Sequence, residues 1–247
     1  MAITYPTQTP VAAASSASSA TLDITYTVPS GTELLILAFA ARQGTVSTVE
    51  DWTTTTEPFV GILTTAPSHA NDCSPYIYGI VNPTAKTNTI TITWTGAINW
   101  QWATMFSLAG NDTTDVATAV NLLQNDEYAF STTTAFTSAG SAGNGLVAIG
   151  AGIGDDRAPS SIDNSFVEIL DGNTGGTSDN NGNADCSYHV AYKLDDAPSA
   201  ATITWTNNDY QAGAYLEIVA AGGTSISDVN LQGVNRGISR GVARGVG

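Results

Sequence analysis

Two short sequence motifs occur twice in this chain at nearly the same spacing. Ile-Thr-Trp-Thr stands at 92–95 and at 203–206, and Asp-Cys-Ser stands at 72–74 and at 185–187. The copies of the first motif are 111 residues apart, and those of the second are 113 residues apart. A spacing this long is typical of a duplicated globular unit rather than of a solenoid repeat. The sequence therefore predicts two related halves.

The residues within each half alternate in the manner of β-strands. In the segment 89–95, apolar side chains alternate with threonines, so the two kinds lie on opposite faces of a strand. The continuous apolar run 34–41 has the length of one strand and predicts a buried central strand. Very little helix is expected, and the one weak candidate is Thr113–Gln124. The predicted fold is an all-β, antiparallel, jelly-roll-like sandwich whose halves are related by a pseudo-two-fold axis.

Composition divides the chain into three parts. Residues 1–21 are rich in Ala, Ser and Thr and are predicted to form a low-complexity N-terminal arm. Residues 22–222 hold the duplicated sandwich, with halves at about 22–111 and 128–222. Residues 223–247 form a C-terminal tail of different character.

In this tail glycine recurs every four residues at 233, 237, 241 and 245, arginine recurs every four at 236, 240 and 244, and an apolar residue follows each of these glycines. Glycine at this density disfavours an isolated helix. A disordered tail is one interpretation. The other, favoured by the regular repeat, is a segment that docks on a partner or on a sister subunit. The predicted docking residues are Arg236, Gly237, Arg240, Gly241, Arg244 and Gly245.

The charge of the chain excludes some partners. Seven basic and 22 acidic residues give a net charge of -15, which opposes binding of the main body to nucleic acid or to an anionic membrane. No apolar stretch reaches the length of a membrane span. The N-terminus lacks the basic and apolar segments of a secretory signal, so we expect synthesis in the cytoplasm.

No catalytic residue, cofactor or metal is predicted. The two histidines are His69, in a predicted loop, and His189, inside a predicted strand, and no nucleophile elbow accompanies them. His189 is expected to be a strand residue whose ring is satisfied by hydrogen bonds. The loop Asp179–Asp185 places oxygen side chains at alternate positions, as calcium loops do. Its glycine is displaced and no bidentate Glu follows, which favours a plain loop.

Two further sets of residues have alternative interpretations. Cys73 and Cys186 occupy equivalent positions of the repeat and are expected to be free thiols, with a bridge between the halves as the alternative. Trp100, Trp102 and Tyr210 lie near predicted strand ends. They are candidates for stacking on a glycan, and packing in the core or between subunits is the alternative.

Three segments carry a family resemblance: VPSGTELLILAFAAR, TITITWTGAINWQWATMFSLAG and AATITWTNNDYQAGAYLEIVAAG. They resemble a large group of mostly uncharacterised β-sandwich proteins encoded by bacteriophages and their hosts, over roughly residues 22–222. The C-terminal repeat also resembles the degenerate short repeats that end many phage structural proteins.

The resemblance implies a virion component, namely a capsid decoration protein, a head fibre or a tail-associated subunit. Its expected partners are capsid or tail proteins and further copies of itself in a homo-oligomer. The resemblance brings no catalytic residues with it. The alternative function is a carbohydrate-binding adhesion module that recognises a surface glycan.

Overall fold

The computed structural model describes residues 2–15, 17–42, 44–53, 57–64, 73, 75–138, 140–153, 159–163, 165–174, 186–194 and 200–222. In chain order the elements are β1 (Val11–Ser15), β2 (Ser19–Thr27), β3 (Leu34–Ala41), β4 (Val46–Val49), β5 (Val60–Leu63), β6 (Tyr76–Val81), β7 (Thr87–Ile98), β8 (Gln101–Leu108), α1 (Val116–Ala119), β9 (Val120–Phe136), β10 (Gly145–Ile153), β11 (Pro159–Ile162), β12 (Val167–Asn173), β13 (Cys186–Lys193) and β14 (Ala201–Ile218). The prediction of an all-β fold with very little helix is confirmed.

The described strands form three sheets, and every strand pairing is antiparallel. The first inner sheet has the order β1-β8-β3-β6-β5. The second inner sheet has the order β11-β14-β10-β13-β12, and β9 also pairs with β14. The outer sheet has the order β2-β7-β4.

The first inner sheet is covered on both faces. Every residue of β3 is buried, as predicted for the apolar run. Leu34 and Ile36 contribute to the core shared with the second inner sheet, whereas Leu35 and Leu37 contribute to the core under the outer sheet. A strand that buries both faces needs a layer on each side of it. The sheets therefore stack in more than the two layers of a simple jelly roll.

The second inner sheet also has a core on its outward face. There the ring of Trp205 packs with Ile203 and Tyr215. A Cβ added to Gly150 would lie 2.7 Å from Ile203 Cδ1 and 2.9 Å from Trp205 Cζ2. Both distances are too short for any larger residue at position 150 unless the side chains of Ile203 and Trp205 move. Glycine at this position therefore makes room for the tryptophan.

The two halves have corresponding strand neighbours. β3 lies between β8 and β6, and β10 lies between β14 and β13. Leu34 lies opposite Leu108 in the first half, and Gly145 lies opposite Ile218 in the second. The sandwich character is confirmed, and the origin of the halves by duplication stays a prediction.

The helix predicted over Thr113–Gln124 is wrong over most of its length. Only α1, four residues long, is helical, and Asp115 caps it by accepting a hydrogen bond from the Thr118 amide. From Val120 onward the chain pairs with β14. The ladder of backbone hydrogen bonds in a long strand pair outweighs the weak helix propensity of this segment.

The segment 1–21, predicted as an arm, supplies β1 and the first residues of β2. β1 pairs with β8 along its whole length, from Val11 to Ser15. Ile3 is only 1% exposed and packs in the core between the inner sheets. Backbone pairing does not depend on large side chains, which is why a run of Ala and Ser serves as an edge strand here.

Candidate functional sites

Several residues singled out from the sequence lie outside the described part of the chain. They are the docking residues Arg236, Gly237, Arg240, Gly241, Arg244 and Gly245, the loop Asp179–Asp185 and His69. Docking by the tail and the plain character of that loop stay predictions.

Trp102 is not a surface residue. It lies in β8, is 0% exposed, and its ring centroid is 5.2 Å from that of Tyr188 on the opposing sheet. The prediction that Trp102 is a candidate for ligand stacking is wrong, and its alternative, packing in the core, is correct. The side chain faces the interior because β8 is covered on both faces.

Trp100 lies at the turn that joins β7 to β8. Its φ of 51° is in the left-handed region, which is uncommon for a residue other than glycine. The Arg42 guanidinium carbon lies 5.0 Å from the ring centroid, and the Arg42 amide donates to the Trp100 carbonyl at 3.1 Å. Together with residues 97–99 the pair lines an open cleft of about 330 Å³. The guanidinium covers one face of the indole and leaves less of it for a sugar.

Tyr210 lies within the long strand β14. It lies opposite Phe130 in the pairing of β14 with β9, and the two rings meet edge to face with centroids 5.2 Å apart. Phe130 is 60% exposed, the largest exposure among the large apolar side chains described. Tyr210 and Phe130 thus form an aromatic surface, of which sequence reasoning identified only the tyrosine.

Cys73 and Cys186 are brought together between the halves. Both side chains are buried, and their Sγ atoms are 2.7 Å apart. Both are free thiols in this structure, in agreement with the favoured prediction. The separation nevertheless places them in direct contact, so the pair has the positions needed for a bridge across the core.

His189 is buried without a hydrogen-bond partner. It lies in β13, is 1% exposed, and neither ring nitrogen has a partner within the described residues. The prediction of a hydrogen-bonded strand histidine is therefore wrong about the ring nitrogens. A buried polar atom without a partner carries a desolvation cost, and such an atom in a folded protein calls for an explanation.

Two carboxylates from the neighbouring strand lie next to this imidazole. Asp171 lies directly opposite His189, and Glu168 lies opposite Ala191. A bulge between Glu168 and Leu170 shifts the register of β12 by one residue. Residues three apart on a regular strand point to opposite faces, so the bulge is what places both carboxylates on the face of His189. One ligand atom from each of the three side chains lies within 4.8 Å of the others.

The charges at this cluster depend on burial. Burial lowers the pKa of His189 to about 4, against an opposing effect of the Asp171 carboxylate. Partial burial, with a contribution from the negative charge of Asp171, raises the pKa of Glu168. At pH 7 the imidazole of His189 is therefore neutral, and the ring nitrogen that carries no proton is an electron-pair donor.

Sequence reasoning missed this cluster because its members do not form a motif. His189 is 18 residues from Asp171 along the chain, and the bulge that aligns Glu168 has no sequence signature. The alternation of Tyr188, His189 and Val190 was the only available signal, since it places the histidine on the face away from the central core.

No protein-family model matches this chain, and no curated protein matches it either. Within the described residues, no helix has the length and apolar character needed to cross a membrane.

Proposed function

We propose that this chain is a structural subunit of a bacteriophage virion, either a capsid decoration or head-fibre protein or a tail-associated subunit. The layered sandwich is the folded body, and the Arg/Gly tail anchors it to the shell or to sister subunits. The resemblance of residues 22–222 and of the tail repeat to phage proteins supports this assignment.

The observation that carries the proposal is the opposite charge of tail and body. The tail, residues 223–247, has three arginines and one aspartate, a net charge of +2. Subtracting +2 from the total of -15 leaves -17 for residues 1–222. A basic segment attached to an acidic body is attracted to acidic protein surfaces, including the body of a second copy, and the regular spacing presents the arginines at equal intervals.

The body has the properties of a rigid display scaffold. Three separate cores stabilise the stacked sheets, and the large side chains Trp52, Trp102 and Trp205 are all at most 2% exposed. The first and last described segments also meet, because Asn111 bridges to Ala220 and Thr4 to Ala109. Thr4 and Ala220, near the first and last described residues, therefore lie in the same region of the body, which suits attachment through terminal segments.

Mass spectrometry of purified particles tests the proposal. We expect the chain in particles of the virus whose genome encodes it, at a constant ratio to the major shell protein. Absence from those particles contradicts the virion assignment.

Tail variants of the full chain test the anchor. Replacement of Arg236, Arg240 and Arg244 by Gln is expected to reduce occupancy on particles at least tenfold, and replacement of the same residues by Lys to reduce it much less. Full occupancy of the Gln variant contradicts anchoring by the tail.

A carbohydrate-binding module is the second candidate, favoured by the exposed Phe130 beside Tyr210. Aromatic rings at a surface stack on the apolar faces of sugars. On a glycan array we expect Tyr210→Ala and Phe130→Ala to lose any signal of the wild type, whereas Trp102→Phe retains it. Binding that survives both alanine substitutions removes this surface from consideration.

A further inference from the structure

We propose that Glu168, Asp171 and His189 form a binding site for a divalent transition metal ion such as Zn²⁺, on the outward face at the β12 edge of the second inner sheet. This inference does not depend on the proposed function. It rests on the geometry of the three side chains and on the buried ring of His189.

The buried imidazole is the feature that distinguishes this cluster from an ordinary acidic patch. His189 is 1% exposed, neither ring nitrogen has a hydrogen-bond partner in the described part of the chain, and one nitrogen lies within 4.8 Å of both carboxylates. Glu168 and Asp171 are exposed and lie above it. A metal ion bound between them would give the ring nitrogen the partner that it lacks, at the position toward which it already points.

The spacing suits a first coordination shell. Zn²⁺ binds imidazole nitrogen and carboxylate oxygen at about 2.0–2.2 Å, so ligand atoms of a tetrahedral site lie roughly 3.4 Å apart. The ligand atoms here are all within 4.8 Å of one another, so rotation of the two exposed carboxylate side chains closes the difference. The histidine is held by the strand and the core and does not need to move.

The donor set selects among cations. Two carboxylates balance the charge of a divalent ion, and an imidazole nitrogen favours Zn²⁺, Co²⁺ and similar ions over Ca²⁺ and Mg²⁺, which prefer oxygen. Three protein ligands leave at least one coordination position for water. Bound metal would also link β12 to β13 at the point where the bulge interrupts their ladder.

Titration of the full chain with Zn²⁺ at pH 7, followed by calorimetry, tests the site. We expect one high-affinity site, a Ca²⁺ affinity weaker by at least tenfold, and a change in the ¹⁵N chemical shifts of the His189 ring on Zn²⁺ binding. Asp171→Asn and Glu168→Gln are each expected to weaken Zn²⁺ binding about tenfold or more, because each removes a charged ligand. Asp51→Asn is the control, since it removes one exposed carboxylate elsewhere and is expected to leave the affinity unchanged.

Any one of four outcomes overturns the proposal. The wild type does not bind Zn²⁺, or both carboxylate variants bind Zn²⁺ as tightly as the wild type does. Alternatively, Ca²⁺ and Zn²⁺ bind with equal affinity, or the ¹⁵N chemical shifts of the His189 ring do not change when Zn²⁺ binds. Co²⁺ provides a further test, because a thiolate-to-cobalt charge-transfer band would assign the metal to Cys73 and Cys186 instead. The two carboxylates are exposed, so their variants are expected to fold, and circular dichroism checks this directly.

Discussion

Acid should destabilise this protein through one buried side chain, His189. Its pKa is about 4 in the folded chain and 6.5 in the unfolded chain, because burial disfavours the imidazolium ion. Above pH 6.5 the ring is neutral in both states, and its contribution to stability is fully present. Between pH 6.5 and 4 the unfolded chain binds a proton that the folded chain does not. The free energy of unfolding therefore falls as the pH falls through this interval.

The size of the effect follows from the difference between the two pKa values. Each pH unit in the interval contributes about 1.4 kcal/mol, so the full difference corresponds to about 3 kcal/mol. Two carboxylates of β12, those of Asp171 and Glu168, lie close to the ring. On the other neighbouring strand, β10, the residue opposite is Gly150, which has no charge. The effect of Asp171 and Glu168 on the pKa of His189 is therefore included when the stabilities of two proteins that differ only at residue 189 are compared.

Urea unfolding at a series of pH values from 7 to 4, with a chelator present, measures this contribution. The variant His189→Met keeps a side chain of similar length and removes the titrating group. We expect the wild type to lose about 3 kcal/mol more than the variant between pH 7 and pH 4. Parallel curves for the two proteins would refute the assignment of a strongly depressed pKa to His189.

The remaining predictions concern the core. Glu217 is buried, and its carboxylate accepts hydrogen bonds from two Asn side-chain amides and one backbone amide. Glu217→Leu is therefore expected to lower the free energy of unfolding, measured with urea, by about 3 kcal/mol or more. A decrease below about 1 kcal/mol contradicts this role. A Cβ on Gly213 would lie 2.9 Å from a backbone oxygen of β10, whereas one on Gly96 meets nothing within 4 Å. Gly213→Ala is therefore expected to lower the free energy of unfolding by about 1–3 kcal/mol, and Gly96→Ala by less than about 0.5 kcal/mol. Similar thermal unfolding midpoints for the two variants would show that the close backbone approach at Gly213 does not exclude a larger residue. Oxidised glutathione is expected to oxidise the thiols of Cys73 and Cys186 to a disulfide, accepting two electrons and leaving as two molecules of reduced glutathione. The loss of two hydrogen atoms lowers the intact mass of the protein by about 2 Da. Thiols that are still fully alkylated after unfolding of the treated protein would contradict this pairing.

The local sequence pattern was sufficient to predict several strands and the face on which many of their residues lie. The alternation around Ile92 and Trp94 predicted one buried face, and both side chains are buried as expected. The apolar run of β3 predicted a central strand, and every residue of β3 is buried. The same rules failed at Thr113–Gln124, where the pairing of β9 with β14 outweighed local preference.

The candidate metal site could not be predicted in the same way. Asp171 and His189 meet because β12 pairs with β13 in one register, and Glu168 joins them because of a single bulge. Neither register nor bulge has a reliable local signal, since both depend on how whole strands pack on their neighbours. Trp102 illustrates the same limit, because its sequence context is that of a strand near a turn and only the opposing sheet makes it a core residue.

The sequence by itself determined the all-β class, several of the strands and, in the alternating segments, which apolar side chains share a face, because alternation with a period of two residues is a property of the strand alone. The tertiary structure decided how many layers stack, which strand ends belong to the body, and which polar groups are buried next to one another. Those features depend on contacts between residues far apart in the chain, and burial is defined by whatever packs on top. For that reason the two cysteines and the cluster around His189 acquire their chemistry only in the folded protein.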